Sequence, residues 1–169
     1  METKRLILRA PQAEDAQEYL QLHNSEFVLR YNAMVPITED RARKNFAQRQ
    51  DEILLVVHKQ TGRVIGEIDI QEDSLRYGVA SKELSYWLGE AYTRQGYMKE
   101  ALYEVIRNLF EKEDLECVAA RVFAPNTASL ALLKSLGFRQ DGYIPRCVKG
   151  YQDQIFDDTL HSLFRKDFQ

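Results

Sequence analysis

Cysteine is nearly absent from this sequence. Cys117 and Cys147 are the only two in 169 residues, and their spacing suits neither a metal site nor a disulfide framework. A reduced, cytoplasmic protein without a bound metal is the resulting expectation. Long apolar runs are missing too. The longest aliphatic stretch, Ile53 to Val57, is far too short to span a bilayer, and the opening METKRLILRA lacks the apolar core of a secretion signal. There is no excess of positive charge: 23 Lys and Arg against 26 Asp and Glu leave a net charge of −3. No general field therefore draws in nucleic acid or an anionic membrane, and any anion site must be local. Repeats, low-complexity tracts and linkers are absent as well. What remains is a globular balance, 44% hydrophobic and 29% charged, whose length suits a single domain over 1–169 with a real core.

Hydrophobic periodicity divides the chain into alternating elements. KRLILRA (4–10) reads as a short strand. PQAEDAQEYLQLHN (11–24) begins with proline and acidic residues, as the first turn of a helix prefers. A second helix is expected over 38–50, with Thr38 as N-cap and Glu39 and Asp40 behind it. EILLVVHK (52–59) and RVIGEIDIQ (63–71) read as strands joined through QTGR, a turn containing Gly62. KELSYWLG (82–89) is a further strand. After it, Met98, Ala101, Leu102, Val105, Ile106, Leu109 and Phe110 form one apolar stripe at helical spacing. ECVAARVF (116–123) is a strand, and Asn126 is a good N-cap for a helix that Gly137 ends. FRQDGYIPRCVKG and QIFDDTLHSLFRKDF read as two closing strands in a long hairpin. The predicted order is β, α, α, β, β, β, α, β, α, β, β. The strands at 82–89 and 116–123 flank a helix, which suggests a parallel crossover, and the rest suit antiparallel hairpins. The fold class is α+β, a mixed, mostly antiparallel sheet with helices on its faces.

The stretch YTRQGYM (92–98) joins a strand to the N-terminus of the long helix. The first amides of a helix have no internal partners and favour negative charge. Gly96 lets backbone approach a ligand closely, and Arg94, Gln95 and Lys99 can add donors. A second helix start, at Asn126, follows the next strand. Two helix starts after two neighbouring strands converge on one edge of the sheet, which is a far more specific signal than either alone.

The segment from Glu83 to Phe138 resembles the acetyl-CoA-binding core of the GNAT superfamily of N-acetyltransferases. The basic glycine turn resembles that family's Q/R-x-x-G-x-G/A pyrophosphate loop, and PNTASLALLKSLGF resembles its later N-x-x-S/A…G-F motif. KRLILRA at the start and GYQDQIFDDTLHSLF at the end extend the similarity towards the branch containing the ribosomal-protein N-terminal alanine acetyltransferases. The turn departs from the family pattern at Thr93 and Met98, where backbone amides matter more than the side chains. The resemblance implies acetyl-CoA as cosubstrate and no metal. It implies that Arg94, Gln95, Gly96, Tyr97, Met98 and Lys99 cradle the pyrophosphate. Main chain at Tyr86, Trp87 and Leu88 would pair with the pantetheine arm, and Asn126 would hydrogen-bond the same arm. Without the resemblance, 84–88 reads as a plain core strand and Asn126 as a plain cap; the functional readings stand or fall together.

Acetyl transfer to an amine needs the amine neutral, donors for a developing oxyanion and a proton for the leaving thiolate. A peptide α-amine, with pKa about 8, needs little help near neutrality, whereas a lysine at about 10.4 needs more. Glu83, which opens the strand beside the expected thioester position, is the first candidate base, and Asp69 on the neighbouring strand the second. Each also reads as a solvated or structural carboxylate. Many relatives carry a tyrosine seven residues after the motif asparagine to protonate the thiolate. Leu133 stands there in this chain, so Ser129 in the first helical turn, also counted with the coenzyme-binding residues, becomes the candidate proton donor, with a capping serine as the alternative. His23, His58 and His161 show no partner spacing. The expected activity is transfer of acetyl to a protein N-terminal α-amine or a small amine, by direct attack in a ternary complex. The rival is a catalytically silent acyl-CoA-binding module. A mononucleotide-binding protein is disfavoured, because both G-x-x-x-x-G-K-S/T and G-x-G-x-x-G are missing. No nucleic acid or membrane partner is expected, and a homodimer stays open.

Overall fold

The computed structural model describes residues 1–169. Its seven strands are β1 (Leu6–Arg9), β2 (Ile53–His58), β3 (Val64–Glu72), β4 (Ser81–Leu88), β5 (Cys117–Phe123), β6 (Arg139–Lys149) and β7 (Ile155–Phe164). They form one sheet in the order β1-β2-β3-β4-β5-β7-β6. Every neighbouring pair is antiparallel except β4 and β5. The helices are α1 (Ala16–His23), α2 (Glu26–Leu29), α3 (Glu39–Gln48), α4 (Tyr97–Lys112) and α5 (Thr127–Ser135).

The apolar stripe expected from the sequence makes α4 the anchor of one face. All seven of its residues, from Met98 to Phe110, are buried against Leu84, Val118, Ala120 and Leu163 of the larger core. Removing one such side chain from water is worth about 1.5–3 kcal/mol, so this stripe alone fixes the helix to the sheet. A smaller core on the opposite face packs Tyr19 and Ala16 of α1 and Phe46 of α3 against Leu55, Val64 and Trp87. Thr38 caps α3 as expected, its hydroxyl accepting from the Arg41 amide at 3.3 Å.

Three local features differ from the sequence reading. The helix expected over 11–24 divides, a 3-10 turn at Ala13–Asp15 preceding α1. There the Asp15 carboxylate accepts from the Gln12 amide and from both terminal nitrogens of Arg9, each at 2.7 Å, which tightens that turn. The short helix α2 was not expected; Ser25 starts it, its hydroxyl accepting from the Val28 amide at 3.3 Å. The closing hairpin forms, but β7 enters between β5 and β6, so the last strand in sequence is internal and β6 is the edge.

Candidate active site

The parallel pairing of β4 with β5 runs from Ser81↔Cys117 to Leu84↔Ala120 and then stops. Beyond that point β4 continues to pair with β3, through Ser85↔Asp69 to Leu88↔Gly66. On its other side β5 continues with β7 to Phe123↔Asp158. The two strands therefore part at Leu84 and Ala120. The edge of residues 85–88 that faces β5 has no strand partner, although it lies inside the sheet. Main-chain groups in such a place need a partner, and an extended ligand carrying amides supplies one.

The N-terminus of α4 stands at the open end of this gap. Gly96 caps it in the left-handed region, φ 80°, and Arg94 also has positive φ, 61°. No side chain caps the helix, so its first amides are free to receive an anion. The turn is fastened from behind. Arg5 donates through Nη1 to the Gln95 carbonyl at 2.9 Å and through Nε to Glu100 at 2.7 Å, while its guanidinium lies 4.3 Å from the Tyr97 ring centre. Burial opposes ionisation of Glu100, but bonds from Thr3 and Arg5 hold its carboxyl below the usual range. Arg94 and Lys99 are exposed and line the cleft. Gln95 is a correction: its side chain donates to the Ala91 carbonyl at 2.9 Å and does not line the cleft, because it closes the preceding turn. Met98 is buried in the larger core, which leaves its amide as the group to meet a ligand. Across the gap, Asn126 caps α5 by accepting from the Ser129 amide at 3.2 Å.

A cleft of about 1160 Å³ runs through the gap and opens on the face covered by α1, α2 and α3. Strand alternation and register put Glu67, Asp69, Glu83, Ser85 and Trp87 on that face. Both Asp69 oxygens accept from Arg49 Nη2, at 2.7 and 2.9 Å, and one also accepts from Gln71, so this carboxylate is already occupied. Asp158 is held by Arg121 at 2.8 Å. Glu83 is half-buried. Burial pushes its carboxyl up, while Arg121 pulls it back. Glu67 is only 7% exposed; its Oε1 accepts from Trp87 Nε1 at 3.3 Å and its Oε2 has no hydrogen-bond partner. Burial before all else pushes it up to about 7.

On the opposite face of the sheet the Tyr86 hydroxyl lies 2.6 Å from Ser129 Oγ. Burial pushes the phenol up to about 12 against the pull of that bond. Leu133 is 1% exposed within the core and offers no proton. Of the three histidines only His23 lines the cleft, with Nδ1 2.9 Å from the Asn24 amide oxygen. No group of three or more His, Cys, Asp or Glu side chains is arranged to hold a metal ion. No helix is long and apolar enough to cross a membrane.

The structure thus brings Glu83, Ser129, Tyr86, Trp87, Leu88, Gly96, Tyr97 and Asn126 to one cleft. Sequence reasoning missed Glu67, the Tyr86 hydroxyl, and the roles of Arg5 and Arg49 as fasteners. Glu67 did carry a signal, a charged residue within the apolar run VIGEIDI. The others depend on contacts between distant segments.

A family model described as an acetyltransferase (GNAT) domain matches residues 5–139. The chain is 27% identical over 174 residues to an uncharacterized N-acetyltransferase, p20, of Bacillus licheniformis, covering 98% of this chain and 96% of that protein. It is 22% identical to the uncharacterized N-acetyltransferase YnaD of Bacillus subtilis (strain 168), covering 98% and 97%. Among solved structures, the ribosomal-protein-S5-alanine acetyltransferase from Vibrio fischeri superposes with a TM-score of 0.86 at 19% identity, over 100% of this chain and 98% of that one. Spermidine N-acetyltransferase from Vibrio cholerae, in complex with CoA and spermine, superposes with a TM-score of 0.83 at 17% identity, over 96% and 97%.

Proposed function

The chain belongs to the GNAT family of acetyltransferases, and we propose that it moves the acetyl group of acetyl-CoA to the α-amine of a protein or peptide N-terminus. The observation that carries this reading is the parting of β4 from β5 directly beside the uncapped N-terminus of α4. Acetyl-CoA would supply the activated acetyl group. The amides from Gly96 to Lys99, with the Arg94 and Lys99 side chains, would hold its pyrophosphate. The free edge at Tyr86, Trp87 and Leu88 would hold its extended arm, assisted by Asn126. These groups fit that ligand: an anion at a helix start and an amide-bearing chain along an unpaired strand edge. At about 1160 Å³ the cleft exceeds the usual 300–1,000 Å³ of a single small-ligand pocket, which suits two substrates bound together.

Two carboxylates on the floor of the cleft are occupied: Asp69 and Asp158 are each engaged by an arginine, which leaves Glu67 and Glu83 to meet the acceptor's amine. Glu83 would take, through water, the proton released as nitrogen attacks, and Ser129 would stand beside the departing sulfur. The two unpaired cysteines, one of them buried, suit a reducing cytoplasmic setting. Coenzyme A release across a panel of N-terminal peptides and small amines tests the reading. Peptides are expected to outpace spermidine, and Glu83→Gln to slow turnover while coenzyme affinity is kept. Tight acetyl-CoA binding without release towards any amine would instead mark a silent binding module.

A further inference from the structure

We propose that Glu67 is a catalytic base of this site: its carboxylate receives the acceptor's ammonium group and takes the proton that must leave before nitrogen can attack. The proposal rests on the α-amine acceptor reading above. Glu67 sits on β3 opposite Trp87 and one alternation from the Asp69↔Ser85 pair, on the cleft face where the strands part. It is more than nine-tenths buried, lines the cleft, and has one oxygen with no partner. A buried carboxylate left in that state is unfavourable unless a cation arrives.

No protein group serves as that cation. From α1 the cleft presents Tyr19 and His23. The Tyr19 hydroxyl faces the Glu67 carboxyl and helps to hold it down, while burial pushes the phenol itself further up. Burial holds His23 below its usual value; both are neutral near pH 7, so neither supplies a charge. Beyond the end of α3, Arg49 bonds Asp69 and Glu52 and not Glu67, although its charge still draws the Glu67 carboxyl down. Asp69, on β3 itself, adds negative charge. An ammonium group entering from the cleft completes the set.

The proton balance is simple. One N–H bond of the ammonium breaks and one O–H bond forms on Glu67. Over the whole reaction an ammonium and a thioester become an amide, a thiol and one proton released to water. The carboxyl's value of about 7 lies roughly one unit below an α-amine at about 8 and more than three below a side-chain amine at about 10.4. Transfer to Glu67 therefore leaves about a tenth of a bound α-amine neutral, but less than about a thousandth of a polyamine's primary amine. A base of that proton affinity would favour α-amines over side-chain amines at the deprotonation step, by roughly a hundredfold or more.

The test is kcat/KM against pH for a free N-terminal peptide and for spermidine, with wild type, Glu67→Gln and Glu67→Asp. For the peptide, wild type is expected to give a bell, rising near pH 7 as Glu67 ionises and falling near pH 8 as the peptide loses its ammonium. Glu67→Gln is expected to be roughly ten- to a hundredfold slower at pH 7. Its rate should rise along the peptide's own titration with no falling limb. Glu67→Asp should keep the bell at lower amplitude. Unchanged acetyl-CoA affinity in each variant, measured by calorimetry, reports an intact fold. A bell that survives in Glu67→Gln, or a wild-type profile without the limb near 7, overturns the assignment. Wild type that binds acetyl-CoA but acetylates no peptide overturns the acceptor reading instead.

Discussion

The Tyr86 hydroxyl and Ser129 Oγ lie 2.6 Å apart, joining β4 to α5 beside the gap where the coenzyme arm is placed. With Leu133 offering no hydroxyl, this pair is the candidate to stand in for the missing tyrosine. It also changes what Ser129 is expected to do. A phenol pushed up to about 12 holds its proton far more tightly than a thiol near 8.5, so full transfer from this pair to a departing thiolate is uphill. The pair can offer the sulfur a hydrogen bond, and the thiolate takes its proton from water. Ser129→Ala and Tyr86→Phe should each lower kcat by roughly ten- to a hundredfold, at the low end of acid–base contributions, with coenzyme affinity falling much less. Because the two hydroxyls act together, the double variant should be little worse than either single one. Weaker acetyl-CoA binding with saturating kcat unchanged in Ser129→Ala would reduce the serine to a binding or capping group.

Gly96 carries the second prediction. Its φ of 80° belongs to the left-handed region, and an added Cβ would stand 3.4 Å from the Arg5 guanidinium. A β-branched residue there is strained by about 1–2 kcal/mol and must shift the turn that Arg5 fastens. Acetyl-CoA at a hundredfold excess over Kd should stabilise wild type by about 2.7 kcal/mol, and Gly96→Val should lose most of that gain. Thermal unfolding with and without acetyl-CoA measures both. A folded Gly96→Val protein with wild-type affinity would remove the loop from the coenzyme site.

Arg49 carries the third. Its side chain closes over Asp69, which is only 10% exposed, while the arginine itself is 33% exposed. Breaking a fully buried pair from one side costs about 3–5 kcal/mol; partial solvent access here reduces the expected loss to about 1–3 kcal/mol. Arg49→Ala also frees a further carboxylate, Asp69, on the cleft floor. The kcat/KM ratio of spermidine to peptide should therefore rise, and an unchanged ratio would show that Asp69 has no part in choosing the acceptor.

Much of this architecture was legible in the chain, for physical reasons. The stripe from Met98 to Phe110 has helical spacing over three turns, and only a long amphipathic helix satisfies it. The parallel crossover followed from two strands flanking that helix. Register was not legible, because it depends on pairings between distant segments. Without it, Asp69 reads as the second candidate base after Glu83, although Arg49, twenty residues earlier, occupies it. The Tyr86 side chain was invisible for the same reason: nothing local says that a strand residue meets the first turn of α5. Gln95 read as a ligand donor by position, yet a turn carbonyl four residues back claims its side chain.

Glu67 links activity to stability, and the sign of that link can be worked out. Its carboxyl is raised in the folded chain, to about 7 from an ordinary 4.5, so between those values the native state binds more protons than the unfolded one. Stability then falls as pH rises from about 4.5 to about 7 and stays low above it. The gap corresponds to about 3 kcal/mol as an upper bound. Gln at position 67 keeps the shape without the charge. Glu67→Gln should therefore be more stable than wild type by about 1–3 kcal/mol at pH 8 and little different at pH 4.5, even as it loses activity. Urea unfolding at the two pH values gives the comparison. The same stability difference at both would mean that the Glu67 carboxyl binds its proton no more tightly in the folded chain than in the unfolded one, and a base with an ordinary carboxylate's proton affinity would not match an α-amine.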